Sequence, residues 1–149
     1  MYIMFTFVYN MGKKLIITAI VGTIAYFAFG WLVFDFVLGN YTDLHTTQLN
    51  GFKKNGEQSS LALLIVSCGA YALLLSFILV YLLNITDIWK ASLIAAIIGV
   101  LIAIMTDSYW YATSTFYSNS MVVIFDVLAA GITVGFMGLI IAFTNKKLN

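Results

Sequence analysis

Four uninterrupted apolar runs decide what this chain can fold into: Leu15 to Leu38, Leu61 to Leu83, Ile88 to Tyr111 and Met121 to Phe143. Each is close to the roughly 20 residues that cross about 30 Å of hydrocarbon at about 1.5 Å per residue. A backbone inside hydrocarbon must satisfy its own hydrogen bonds, which leaves only helices or a closed barrel. The runs are continuous rather than alternating, and four strands cannot close a barrel. The pattern therefore predicts an all-α membrane protein, a bundle of four transmembrane helices. Composition agrees: of 149 residues, 62% are hydrophobic and 9% charged, against roughly 45–50% and roughly 25% in soluble domains. No polar stretch is long enough to enclose a second core, so residues 15–149 read as one transmembrane domain after a segment 1–14. The net charge of +1 offers no footprint for nucleic acid. Cys68 is the sole cysteine; it cannot form an internal disulfide and reads as a packing thiol within its apolar run.

The lysines set the orientation, since the chain has no arginine. An even number of spans puts both termini on one side, together with the turn from Asn84 to Asp87. That side carries Lys13, Lys14, Lys90, Lys146 and Lys147, and the other carries Lys53 and Lys54. The positive-inside rule then predicts cytoplasmic termini. A loop from Gly39 to Ser60 and a connection from Ala112 to Ser120 form the outer face. The apolar, aromatic decapeptide before Met11 reads as an extension or a short interfacial segment. A cleaved signal peptide ending near Ala25-Tyr26-Phe27-Ala28 is the alternative, but the run to Leu38 outlasts an h-region of roughly 7–15 residues. With no proline, no helix has the commonest cause of a sharp kink.

This topology puts three carboxylates in one leaflet. Asp35 falls near the outer end of the first span, Asp107 near that of the third, and Asp126 about a turn and a half into the fourth. A charge at the bilayer centre costs about 2.5–3.5 kcal/mol on insertion scales, and less near an interface. No basic residue within the spans is placed to neutralise these three. Lys53, Lys54 and His45 belong to the outer loop, and hydroxyls of Tyr109, Tyr111, Ser108 and Thr106 are available as donors. Three readings are open: wet carboxylates at the headgroup boundary, a shared polar pocket of Asp35, Asp107, Asp126, Tyr109, Tyr111 and His45, or contact with a partner subunit.

Helical spacing bears on that choice. Ala91, Ala95, Gly99, Ala103 and Asp107 recur at every fourth residue, so a ridge of small side chains leads to the carboxylate and predicts that Asp107 faces another helix. Trp31 and Asp35 share a face, four residues apart, and an aromatic belt accounts for Trp31, Trp110, Tyr109 and Tyr111. In the fourth span, Gly131, Gly135, Gly138 and Ala142 form a GxxxG-type face, while Asp126, Ala130 and Thr133 point to roughly the opposite side. The expectation is that one face joins the chain's own bundle and the other meets a second molecule. Thr133 is expected to bond back to its own helix.

The catalytic inventory is thin. His45 is the sole histidine, with Asp43 two residues earlier, and no HExxH, GxSxG or glycine-rich phosphate loop is present. One histidine without a cysteine cluster makes a poor zinc site, and no cofactor is implied. Three converging aspartates would suit a hard cation, which takes oxygen ligands, but the spacing does not show convergence. Asn40-Tyr41-Thr42 and Asn84-Ile85-Thr86 match the glycosylation pattern, the second in a tight turn on the predicted cytoplasmic side. Lys146-Lys147-Leu148-Asn149 resembles a dilysine signal but suits an ordinary topology anchor.

Gly30-Trp31-Leu32-Val33-Phe34 closing the first span, Ala95-Ala96-Ile97-Ile98-Gly99 in the third, Asp107 followed by Tyr111-Ala112-Thr113, and Asp126-Val127 opening a glycine-rich fourth span carry a family likeness. In these features the chain resembles small uncharacterised bacterial membrane proteins with a domain of unknown function. The resemblance implies a four-helix protein of the bacterial inner (plasma) membrane and brings no activity with it. The expected function is that of a non-enzymatic integral membrane protein, packing through its small-residue faces as an accessory or structural subunit of a larger membrane complex or as a homo-oligomer. The alternative is a small transporter or ligand-binding protein whose outer-leaflet carboxylates hold a proton, a cation or a basic solute.

Overall fold

In the computed structural model of the protein, each apolar run is a helix, as hydrocarbon demands of a backbone with no outside partner. The structure describes residues 2–47 and 60–148, with side chains from residue 11 onward. Lys53 and Lys54 lie outside the described residues. Helix α1 runs over Tyr2–Gly30 and continues as a wider π-helical stretch, Trp31–Val37; α2 is the short helix Gly39–His45. Helix α3 covers Leu61–Ser76 and also widens, over Phe77–Leu82; α4 is Ile88–Thr113 and α5 is Ser120–Leu148. Among the described residues four helices are long and apolar enough to cross a membrane. They run up and down, so both termini share one end. Residues 38–47 and the connection 114–119 share the other, called here the loop end.

Two features of the helices add to the sequence expectation. No break separates a segment 1–14 from the first span, because α1 begins at Tyr2 and nothing from Asn10 to Leu15 stops a helix except the isolated Gly12. The absence of proline does not leave uniform α-helices either. Leu38 N–H donates to Val33 O and Leu83 N–H to Ile78 O, each at 3.0 Å. These i→i+5 bonds mark π turns, a recognised cause of helix bending.

Local chemistry sets the other ends. Asp87 caps α4, accepting from Trp89 N–H at 3.0 Å and Lys90 N–H at 3.2 Å. Ser60 caps α3 through Leu63 N–H. Asn84 takes a positive φ of 45°, a conformation asparagine tolerates better than most residues, and so tightens the turn between α3 and α4.

Helix α5 is the centre of the bundle: half of its apolar window is buried, against 17–28% in the other three spans. Its glycine face meets α4 at backbone distance. A Cβ on Gly138 would collide with Ala95 Cβ and lie 2.9 Å from Ala91 O, and one on Gly99 would lie 2.7 Å from Val134 Cβ. Its other face is not left for a second molecule, as the spacing predicted, because α1 covers it. Thr133 is fully buried with its methyl beside Gly30, and Phe136 stacks on Phe29 with ring centroids 4.4 Å apart. The remaining surfaces carry exposed Leu93, Ile97, Leu101, Ile132 and their like, as lipid contact requires. Lipid is as apolar as these side chains, so close packing rather than water release holds the helices together.

The α4–α5 contact makes a direct prediction. Gly138→Ala should lower unfolding stability in detergent by about 1–3 kcal/mol, the usual cost of overpacking. Gly12→Ala, with nothing within 4 Å of the new Cβ, should not. Denaturant titration of the two variants tests this, and equal stability would contradict the packing described.

Candidate functional site

Asp107 ends the buried ridge of α4. Ala91, Ala95, Gly99 and Ala103 precede it at four-residue intervals, all buried, and Asp107 itself is only 6% exposed. Across from it on α5, Asp126 is half-buried, and the two carboxyl groups come within hydrogen-bonding reach of each other. Tyr117 completes the site: its hydroxyl donates to Asp107 Oδ1 at 3.2 Å. Asp107 Oδ2 is buried and receives no donor.

Tyr117 is held there by a clasp between the two loops. Thr46 and Tyr117 form an isolated antiparallel β-bridge. Thr47 N–H donates to Phe116 O at 2.8 Å, and Ser118 N–H to His45 O at 3.0 Å. Ser118 Oγ adds a bond to His45 O at 2.7 Å, and the Thr47 hydroxyl one to Thr115 O. Side chains alternate along such a pair, which sends Tyr117 to the face opposite Phe116 and Ser118. Helix α2 seats the clasp, with Tyr41 edge-on to Phe125 at 5.2 Å, next to Asp126.

The other residues expected in a pocket do not converge here. Asp35 is exposed, on the same outward face as the exposed Trp31, and has left the bundle where α1 widens into its π stretch. Tyr109 is 64% and Tyr111 47% exposed; they stand on the membrane side of α4, where aromatic belt residues belong. The His45 ring is engaged within α2, with Nδ1 2.9 Å from Tyr41 O and the ring stacked on Tyr41. Its contribution to the site is its backbone carbonyl, through the clasp. Ser108 is exposed and Thr106 bonds to Ile102 O and Ala103 O, so neither hydroxyl serves the carboxyls. The site is thus Asp107, Asp126 and Tyr117, and sequence reasoning missed Tyr117.

The electrostatics follow from that geometry. Burial pushes the Tyr117 phenol well above its ordinary value, and the nearby Asp107 and Asp126 carboxyls and the bond to Asp107 push in the same direction. The phenol is therefore a fixed donor. Like charges about 4 Å apart repel by about 4 kcal/mol at an effective dielectric constant of about 20. A proton held between the two carboxyls removes that repulsion. A metal ion fits less well: among the described residues no group of three or more His, Cys, Asp or Glu is placed to hold one. Two carboxyls and a phenol also fall short of the roughly six to eight oxygens that calcium takes.

No family model, curated protein or solved structure matches the chain. The site's own geometry therefore carries the functional reading.

Folding raises the Tyr117 pKa, so the stability tied to its neutral form is fully present below about pH 10 and is lost as the pH rises beyond it. Wild-type protein should lose stability as the pH rises above about 10 more steeply than Tyr117→Phe. The variant should start about 1 kcal/mol less stable, for the missing hydrogen bond. Parallel pH profiles would contradict the placement of Tyr117.

Proposed function

We propose that this chain is a non-enzymatic integral membrane protein that binds one proton between Asp107 and Asp126, as a small proton-linked transport protein. The observation that supports it is the contact between two carboxyl groups, one almost fully buried, with a phenol donating to one oxygen and no donor at the other. Among the described residues, the groups acting on Asp126 and Tyr117 include no cation, which leaves a proton as the simplest charge to bring to the pair. Protonation at one oxygen also answers the bare Asp107 Oδ2, because a protonated Asp126 becomes a donor. In this reading the loop end faces outward, as the lysine distribution favours, and the membrane is that of a bacterial cell. The proton then enters from outside, beneath the clasp.

A second reading, an accessory subunit or homo-oligomer, draws on a membrane-facing groove of about 340 Å³ between α4 and α5, lined by Ser92, Ala96, Val100, Leu128, Ile132 and Phe136 among others. A lone monomer in several mild detergents would count against it. It ranks second because the buried face of α5 that first suggested a partner is covered by α1.

The proton reading is tested by infrared difference spectroscopy of the protein in lipid during a pH titration. A protonated-carboxyl band should rise and fall with pH in the wild type and disappear in both Asp107→Asn and Asp126→Asn. Persistence of the band in both variants, or its absence from the wild type, would sink it.

A further inference from the structure

Threonine hydroxyls in the spans bond back to their own helices. Thr18 donates to Lys14 O, Thr23 to Ala19 O, Thr133 to Ala129 O and Thr144 to Ile140 O. Ser76 does not: it is fully buried and its hydroxyl has no partner. Asn145 is also fully buried. Its amide donates to Ile85 O at 3.2 Å, while its Oδ1 has no partner. An unbonded hydroxyl and an unbonded carbonyl inside a membrane bundle each carry a desolvation cost.

The helix register puts these groups at one level. A Cβ on Gly22 would lie 3.0 Å from Ile141 and 3.3 Å from Ala72, so those three residues mark one layer of α1, α5 and α3. One turn toward the termini on each helix come Thr18, Asn145 and Ser76, all fully buried. Residues four apart share a helix face, so the polar trio faces the same interior. The π stretch of α3 begins at Phe77, directly after Ser76, and widened turns of this kind are frequent at functional sites.

A third unpartnered group lies toward the carboxyl pair. The Tyr71 hydroxyl is buried without a bond, and its ring meets that of Tyr26 edge-on at 5.4 Å. Tyr26 in turn lies one helical turn on the terminal side of Gly30, which faces the Thr133 methyl about two turns below Asp126 on α5. The bundle interior thus carries Asp126, Tyr26, Tyr71 and then the Ser76–Asn145 layer in order from the loop end toward the termini. Buried polar atoms left over by the protein are ordinarily satisfied by internal water.

We propose that Ser76 and Asn145 hold internal water as the inner relay of a proton path, which starts at the Asp107–Asp126 pair and passes Tyr26 and Tyr71. This inference rests on the proton reading of that pair. Each hydroxyl or water along the path accepts one proton on its outer side and releases one on its inner side. One proton crosses per passage, no group keeps a net charge, and the existing gradient supplies the drive.

The test is proton flux into liposomes containing the full chain, with a trapped pH dye and a potassium diffusion potential. Wild-type vesicles should acidify faster than empty ones, and Ser76→Ala should slow this by about tenfold or more, since one hydrogen-bonded link is removed. Ser76→Ala deletes a hydroxyl that has no partner, so the variant should fold at least as stably as the wild type and keep the protonated-carboxyl band. Wild-type flux no greater than that of empty vesicles, with the band present, would overturn the path and leave the carboxyl reading standing. Undiminished flux in Ser76→Ala would overturn the inner relay. Loss of the carboxyl reading shows separately, as absence of the band from wild-type protein.

Discussion

The close approach of α4 and α5 is the contact on which the rest of the structure depends. In hydrocarbon, two helices gain nothing by hiding apolar surface from water, so their separation is set by the side chains between them. Glycines at 99, 131, 135 and 138 reduce that separation to backbone contact. The same glycines fix a register, and the register places the site. Gly99 lies against Val134; eight residues further along α4 is Asp107, and eight residues back along α5 is Asp126. A bulkier seam would separate the helices and part the two carboxyls. The packing motif and the polar site are therefore one feature seen at two depths.

At either end, loop chemistry closes what the helices leave open. At the loop end a two-residue β-bridge joins connections that are far apart in sequence, and delivers a phenol to a carboxylate. At the terminal end Asn145 holds the carbonyl of Ile85, in the tight turn between α3 and α4. Both devices use a polar side chain to satisfy a group that would otherwise be bare inside or beside the bilayer, where an unmade hydrogen bond costs most. The groups that stay unsatisfied, Asp107 Oδ2, Tyr71 Oη, Ser76 Oγ and Asn145 Oδ1, stand out against that background, and they are the ones on which a proton or internal water would act.

The four spans were legible in the sequence because hydrocarbon permits so few backbone structures. The burial of Asp107 was legible as well, since a four-residue ridge of alanine and glycine can only be a packing seam. Asp35 was not, because lipid-facing and helix-facing surfaces are both apolar; its spacing from Trp31 showed that the two share a face but not which way that face turns. The second face of α5 was misread for a related reason: small-residue spacing shows that a helix packs closely, without showing that the covering helix, α1, belongs to the same chain. Tyr117 left no local signal. Its position depends on a bridge to Thr46, and the only hint was that β-branched threonines occur in both loops, at Thr46-Thr47 and at Thr115.

The account turns on the protonation of two side chains, which carbon-13 NMR of labelled aspartate in lipid bilayers reads directly. At neutral pH the pair should hold one proton, so that Asp107 and Asp126 show one carboxylic acid between them, and that signal should be lost when either is changed to asparagine. Two fully ionised carboxylates at neutral pH would contradict it.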